Sequence, residues 1–210
     1  LVYQLTHSAF LLGVVGFAGQ IPTLLLAPVA GVIADRWDKH RLLLLTQILA
    51  KIQAVIFTVL VWTDTIQIWH VILLSTLLGI INAFDMPIRQ SFMIEMIDDK
   101  KDLSNAIALN SSMVNGGRMI GPAIAGLFIA AFGMGVCFLI NALSYIAVIA
   151  SLLMMKISKA AKRKEHKQIW HELKTGFSYA AHFAPIRNIL LLLALVSMMG
   201  MPYATLLPAF

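Results

Sequence analysis

Long apolar runs, separated by clumps of charge, constrain this chain more than any other feature. The runs are 17 to 30 residues long, and about 20 helical residues cross the ~30 Å hydrocarbon layer of a bilayer. A soluble core would account for one such run, and barrel strands are half as long with alternating polarity. The pattern therefore predicts an all-α, polytopic membrane protein. The five complete runs are Phe10–Ala34, Leu42–Trp62, Ile68–Phe84 with a continuation past Pro87, Leu103–Phe132 and Val136–Met155.

Composition agrees with a lipid environment. Hydrophobic residues make up 60% of the chain and charged residues 12%, about half the share usual in soluble domains. The mean hydropathy is +0.84. The single cysteine, Cys137, lies inside an apolar run, which excludes a disulfide framework and a cysteine-based metal site.

The positions of lysine and arginine predict the orientation. Basic residues occur in every second connection, and the alternate connections at residues 6–8, 63–67 and 133–135 contain none. By the positive-inside rule, the basic connections are cytoplasmic. The positive-inside orientation and contact with anionic lipids then account for the net charge of +6. We therefore expect the bilayer, and not nucleic acid, as a partner. The basic connections hold Arg36, Lys39 and Arg41; Arg89, Lys100 and Lys101; and the bases from Lys156 to Arg187.

Both ends of the sequence lie within apolar segments, which predicts a fragment of a longer protein. The distribution of apolar and basic residues divides this fragment into three parts. Residues 1–155 form a transmembrane bundle whose first helix is truncated, and residues 188–210 start a second bundle. Residues 156–187 form a basic cytoplasmic linker with an amphipathic helix. That helix is either a tether between the bundles or a regulatory or partner-binding element.

Two charged motifs lie at predicted cytoplasmic helix ends. The first runs from Gly31 to Arg41, where small Gly31 allows close helix approach and the acid Asp35 precedes the bases Arg36 and Lys39. In the second, Asp85 and Arg89 stand at i and i+4 around Pro87, so they can pair on one helical face. Each motif is either a topogenic or structural charge cluster or a part of a gate.

A third motif lies in the span that begins at Leu103. Ser111, Asn115 and Arg118 recur at helical spacing, and such a polar stripe must face protein or water rather than lipid. Arg118 is either a structural ion-pair partner or a cavity contact for substrate or coupling. Lys51 also lies deep in a span. We therefore predict that its side chain faces the bundle, with Gln47 as a candidate partner. Close packing of another helix is predicted along Gly117, Gly121, Pro122 and Gly126.

Together these motifs resemble the major facilitator superfamily. Gly31, Asp35, Arg36 and Lys39 match its loop signature between helices two and three, with Asp38 where Gly is common. The Gly117–Gly126 segment resembles the fifth-helix signature of the family's antiporters, with Ala125 replacing one glycine. The branch that is most similar includes enterobactin exporters and macrolide efflux proteins. The resemblance implies two six-helix bundles, of which this chain holds the first and the start of helix seven.

The resemblance also implies a function. It implies proton-driven export of a small organic compound, siderophore or drug-like, by alternating access in the bacterial inner membrane, by a protein that is monomeric at full length. It implies a cytoplasmic latch whose charges are Asp35, Arg36, Asp85 and Arg89, with Gly31 and Lys39 of the loop signature as further gating residues. No cofactor is expected beyond a proton gradient. An importer of the same fold and, less favoured, a non-transporting membrane protein are the alternatives.

A membrane enzyme would need a nucleophile or metal constellation, and the sequence has neither. The six histidines form no H-x-x-x-H or H-E-x-x-H pair, and no G-x-S-x-G motif occurs, so we predict no catalytic or metal-binding residue. The histidines are His7, His40, His70, His166, His171 and His182.

Overall fold

A computed structural model describes residues 1–97, 99–155, 178–179 and 182–206. In these residues the regular structure is helical throughout, and five helices are long and apolar enough to cross a membrane. The prediction of an all-α, multi-span fold is confirmed. The helices are α1 (Val2–Thr6), α2 (Ala9–Arg36), α3 (Lys39–Trp62), α4 (Ile68–Glu95), α5 (Leu103–Phe132), α6 (Met134–Met154) and α7 (Ala184–Leu206), with a 3₁₀ turn at Lys100–Asp102.

Short polar or flexible residues set the helix boundaries. Ser8 caps α2 by accepting a hydrogen bond from the Leu11 amide, and Asp38 caps α3 by accepting one from the Arg41 amide at 3.2 Å. Asp38 has φ −64° and ψ 107°, so it occupies the glycine position of the loop signature as an extended cap residue, without a left-handed turn. Gly133 alone joins α5 to α6, with φ 81°, a conformation that favours glycine.

Helix α4 continues through Pro87 to Glu95. The sequence predicted a span to Phe84 with a continuation past the proline, and the structure joins the two parts into one helix. Proline is tolerated in membrane helices when neighbouring groups satisfy the backbone carbonyl that it leaves free.

The chain forms two compact units. The first comprises residues 1–37, 67–84 and 162–210, and the second residues 38–66 and 85–161. The predicted division at residues 155 and 187 stays a prediction, because most of the predicted linker and its amphipathic helix lies outside the described residues.

In the first unit, α2 and the first part of α4 approach backbone to backbone. A Cβ on Gly79 would collide with the Gly19 backbone, and a Cβ on Gly19 would contact the Ser75 carbonyl oxygen. Thr23 donates a hydrogen bond of 3.0 Å to the Gly79 carbonyl. Small residues four apart on both helices permit this approach, which is typical of membrane helix pairs. Helices α1 and α7 also contact α2.

In the second unit, α3 and α6 pack together along their whole lengths in opposite directions. Trp62 covers Gly135 near one end, the rings of Phe57 and Phe138 lie 4.6 Å apart, and His40 reaches Leu152 at the other end. Helix α5 packs on α6, yet none of its residues is buried in this chain. The buried positions of α3 are Leu43, Thr46, Gln47, Ala50, Gln53, Ala54 and Thr58.

Candidate functional site

The side chain of Asp85 is the centre of a polar cluster between α3 and α4. Its Oδ1 atom accepts hydrogen bonds from Thr46 Oγ1 at 2.8 Å and from Gln47 Nε2 at 2.6 Å. Its Oδ2 atom accepts two more from the Arg89 guanidinium, at 3.1 Å from Nε and 2.9 Å from Nη2. All four bonds are donated to Asp85, which fits an ionised carboxylate. We call Thr46, Gln47, Asp85 and Arg89 the Asp85 cluster.

Helix geometry explains how the cluster assembles. Asp85 and Arg89 are one turn apart on α4, so the ion pair that their spacing predicts is present in the structure. Thr46 and Gln47 are adjacent polar residues in the Leu- and Ile-rich α3, and both belong to its buried face. A polar group in a membrane helix is costly unless it finds a partner, and Asp85 supplies that partner to both.

The side chains that bind the two oxygens of the Asp85 carboxylate differ in exposure. Thr46, Gln47 and Asp85 are each at most 7% exposed, whereas the side chain of Arg89 is 56% exposed. Exposed ion pairs contribute little because water competes for both partners, while buried hydrogen bonds to a charge contribute about 1.5–3 kcal/mol each. The α3 side of the cluster is therefore firmly held, and Arg89 is the partner that can be exchanged at small cost.

Three further contacts join the helices at the same end of the second unit. Lys39, at the start of α3, forms an ion pair of 3.2 Å with Glu95, the last residue of α4. The His40 ring nitrogen Nε2 lies 2.7 Å from the Leu152 carbonyl oxygen near the end of α6. The His40 ring also lies 6.0 Å from that of Phe92 on α4. This end of α3 is thus bound to both α4 and α6.

The remaining residues of the predicted latch lie in the first unit. Gly31, Asp35 and Arg36 belong to the last turns of α2, and a Cβ on Gly31 would meet open space within 4 Å. The side chains of Asp35 and Arg36 are outside the described part of the structure. Their part in the latch stays a prediction.

The polar residues of α5 are placed differently. Ser111, Asn115 and Arg118 are exposed, and no described carboxylate lies within ion-pair distance of Arg118. A Cβ on Gly117, Gly121 or Gly126 would meet nothing within 4 Å, and Pro122 lies inside the helix. The close packing predicted for this glycine segment is not made with any described residue, so it stays a prediction about the longer protein.

Lys51 is not paired with Gln47. The Gln47 amide is bonded to Asp85, and Lys51 lines a groove of isoleucine and valine side chains between α3 and α6. The two residues stand one turn apart on α3, but the expected pairing is not made in the described residues.

Sequence reasoning missed Thr46, the Asp85 contact of Gln47, His40 and the Lys39–Glu95 pair. One usable signal was present: Thr46 and Gln47 interrupt an apolar run with two adjacent polar residues, and such residues must face protein or water. Which helix would satisfy them depends on how α3 is rotated against α4, and the sequence alone does not specify that rotation. In the described residues no group of three or more potential metal ligands comes together.

Five helices that are long and apolar enough to cross a membrane, two of them joined by buried polar contacts, define a polytopic membrane protein. The model of the transmembrane secretion effector family, one of the major facilitator transporter families, matches residues 1–210, and the chain belongs to this family. The resemblance inferred from the motifs is thereby confirmed.

Curated relatives are transporters of two kinds. The staphyloferrin A transporter of Staphylococcus aureus is 36% identical over 96% of this chain and 51% of its own length. Macrolide efflux protein A of Streptococcus pyogenes is 19% identical over 97% of the chain and 50% of its own length. The multidrug efflux pump Tap of Mycolicibacterium fortuitum is 28% identical over 63% of the chain and 34% of its own length. The chain spans about half the length, or less, of these relatives. No solved structure matches it significantly.

Proposed function

We propose that this chain is the N-terminal half of a secondary active exporter of a small organic compound. The exporter lies in the bacterial inner membrane and is driven by proton antiport. The relatives support the substrate class, since their names include a siderophore transporter and drug efflux pumps. The glycine- and proline-containing segment of α5, which resembles the antiporter signature, supports the coupling.

The observation that carries the mechanism is the asymmetry of the Asp85 cluster. Alternating access needs a contact that is stable in one state and can be released in the other. Asp85 is held on one side by buried Thr46 and Gln47 and on the other by half-exposed Arg89. In the cytoplasmic latch, Asp85 keeps its hydrogen bonds to Thr46 and Gln47, and its ion pair with Arg89 is the contact that can be exchanged. Asp35 and Arg36 are the partners that exchange with it.

The proton-coupling acid is neither Asp85 nor Glu95 in this proposal. Asp85 accepts four hydrogen bonds as a carboxylate, and Glu95 is paired with Lys39 at the predicted cytoplasmic surface. The proposal therefore assigns both acids to the contacts of the latch. We assign the coupling acid to the half of the protein that this chain lacks.

Transport in vesicles of known orientation tests the direction. Everted vesicles that contain the full-length protein and have an acidic lumen should accumulate staphyloferrin A or a macrolide. Collapsing the pH gradient should abolish the accumulation. Uptake by right-side-out vesicles alone would instead establish an importer. Failure of both substrates in both orientations, with folded protein present, would count against the proposed substrate class.

Asp35→Asn tests the latch within this proposal. Removing the charge while keeping the shape should reduce the transport rate by about fivefold or more, the range of typical coupling energies, and leave expression intact. Asp64→Asn, in an exposed turn between α3 and α4, is the matched control and should leave transport unchanged. Equal rates for Asp35→Asn and wild type would remove Asp35 from the latch.

A further inference from the structure

A groove runs along the second unit between α3 and α6. Its volume is about 360 Å³. Four of its lining residues, Ile48, Ile52, Val55 and Ile56, follow the i, i+4, i+7, i+8 spacing of one face of α3, and Ile149 comes from α6. This face is opposite the buried face of α3 that carries Thr46 and Gln47. The sixth lining residue is Lys51.

Lys51 gives this apolar groove a single charge without a counter-charge. In the part of the chain that the structure describes, no carboxylate or hydrogen-bond acceptor pairs with its ammonium group. The Asp85 carboxylate is occupied by Thr46, Gln47 and Arg89. Gln47 lies one turn before Lys51, but its amide nitrogen is bonded to Asp85. A lysine in a spanning helix without a carboxylate partner is costly in lipid, and it becomes tolerable once an anion neutralises it.

The depth of Lys51 restricts what that anion is. Lys51 lies twelve residues after Lys39 and eleven before Trp62, about 18 Å along the axis from the first residue of α3. A phospholipid phosphate stays at the interface, about 15 Å from the middle of the hydrocarbon layer, and the four-carbon stem of lysine covers only part of that distance. A molecule that brings an anion to Lys51 must therefore enter the hydrocarbon layer, which a carboxylic acid can do in its protonated, neutral form and a phospholipid headgroup cannot.

We propose that the groove binds a lipophilic carboxylic acid. The carboxylate pairs with Lys51, and the hydrocarbon chain lies on the isoleucine and valine side chains of α3 and on Ile149. The lining offers apolar contact along its length and one cation, which is the complement of a fatty acid with one anionic end. This site is separate from the Asp85 cluster and does not depend on the direction of transport or on its energy source.

Photolabelling of the full-length protein in liposomes tests the proposal. The probe is a twelve-carbon fatty acid with a diazirine and an alkyne near the chain end, and the matched neutral probe is the corresponding alcohol. The acid should label peptides of α3 and α6, and the alcohol should label them about tenfold less, the ratio expected for the loss of a hydrogen bond to a charged group.

Three variants separate charge from shape. Lys51→Gln should lower labelling by the acid about tenfold, while Lys51→Arg, which keeps the charge, should retain it. Ile149→Trp should block the groove and lower labelling by both probes. Equal labelling of wild type and Lys51→Gln, or equal labelling by acid and alcohol, would overturn the proposal. So would competition by phosphatidylglycerol as effective as by unlabelled dodecanoate. The Lys51→Gln and Lys51→Arg pair decides the outcome even if Ile149→Trp fails to fold.

Discussion

The Asp85 end of α3 and α4 and the polar stripe of α5 both place hydrophilic side chains on membrane helices, but they satisfy them differently. Asp85 finds all its partners within the second unit, and it is only 7% exposed. Ser111, Asn115 and Arg118 belong to a helix with no buried residue, and Arg118 has no described ion-pair partner. Because lipid cannot satisfy such groups, the α5 stripe requires water or protein beyond the described chain.

This difference distinguishes residues that stabilise the described bundle from residues that interact with water, substrate or protein outside it. Substitutions at the Asp85 cluster should alter both stability and transport. Substitutions on the α5 stripe should alter transport with little effect on the stability of the bundle. The following variants test that division.

Asp85→Asn should have the largest effect. The amide group of asparagine would face the Arg89 guanidinium as a second donor, and the charge that Thr46 and Gln47 stabilise would be lost. We expect the free energy of unfolding in detergent to fall by about 2–3 kcal/mol, less than for a fully buried pair because Arg89 is half-exposed. Titration with SDS measures it. An unchanged unfolding midpoint would show that the cluster does not stabilise the α3–α4 contact.

Gly79→Ala and Gly121→Ala form a matched pair of glycines inside spanning helices. A Cβ at Gly79 collides with the Gly19 backbone, so we expect a loss of about 1–3 kcal/mol in the free energy of unfolding. A Cβ at Gly121 meets open space, and that variant should unfold within about 0.5 kcal/mol of wild type if nothing in the longer protein packs there. Equal destabilisation by the two would show that an element beyond this chain packs closely on α5, as its glycine segment predicts.

Thr46→Val should have a smaller effect than Asp85→Asn. It removes a hydroxyl that lies 2.8 Å from Asp85 Oδ1 and 2.9 Å from the Leu43 carbonyl oxygen and keeps the side-chain shape, so the free energy of unfolding should fall by about 1.5 kcal/mol. Thr58→Val is the control, because Thr58 is also buried on α3 but its hydroxyl bonds only the Ala54 carbonyl of its own helix. Equal unfolding curves for both variants would contradict the assignment of Thr46 to the cluster.

Much of the fold could be predicted because hydropathy reports directly on the lipid environment. The span of α5, predicted as Leu103–Phe132, has those bounds. Helix α3 differs only at its first turn, because it is capped by Asp38 and begins at Lys39, three residues before the apolar run. The Asp85–Arg89 pair could be predicted as well, since a spacing of four places both residues on one face of any helix.

Contacts between helices were not predictable in the same way. Glycine-rich sequence pointed to α5 as the site of close packing, yet the closest backbone approach in the first unit joins Gly19 and Gly79. Small residues permit close approach without specifying a partner, because the partner depends on helix rotation and on which helices are neighbours. The same reason explains why the bond from Gln47 to Asp85 was not predicted, although Gln47 stands one turn before Lys51.

Accessibility of α5 from the cytoplasmic side tests the latch most directly. A single cysteine at Ser111, with Cys137→Ser, would be labelled by a membrane-impermeant maleimide in everted vesicles that contain the full-length protein. If the Asp85 cluster holds the cytoplasmic side closed, Asp85→Asn and Arg89→Gln should each raise the labelling rate by about fivefold or more, the range of typical coupling energies. The same rate in wild type and in both variants, with all three folded, would contradict the account.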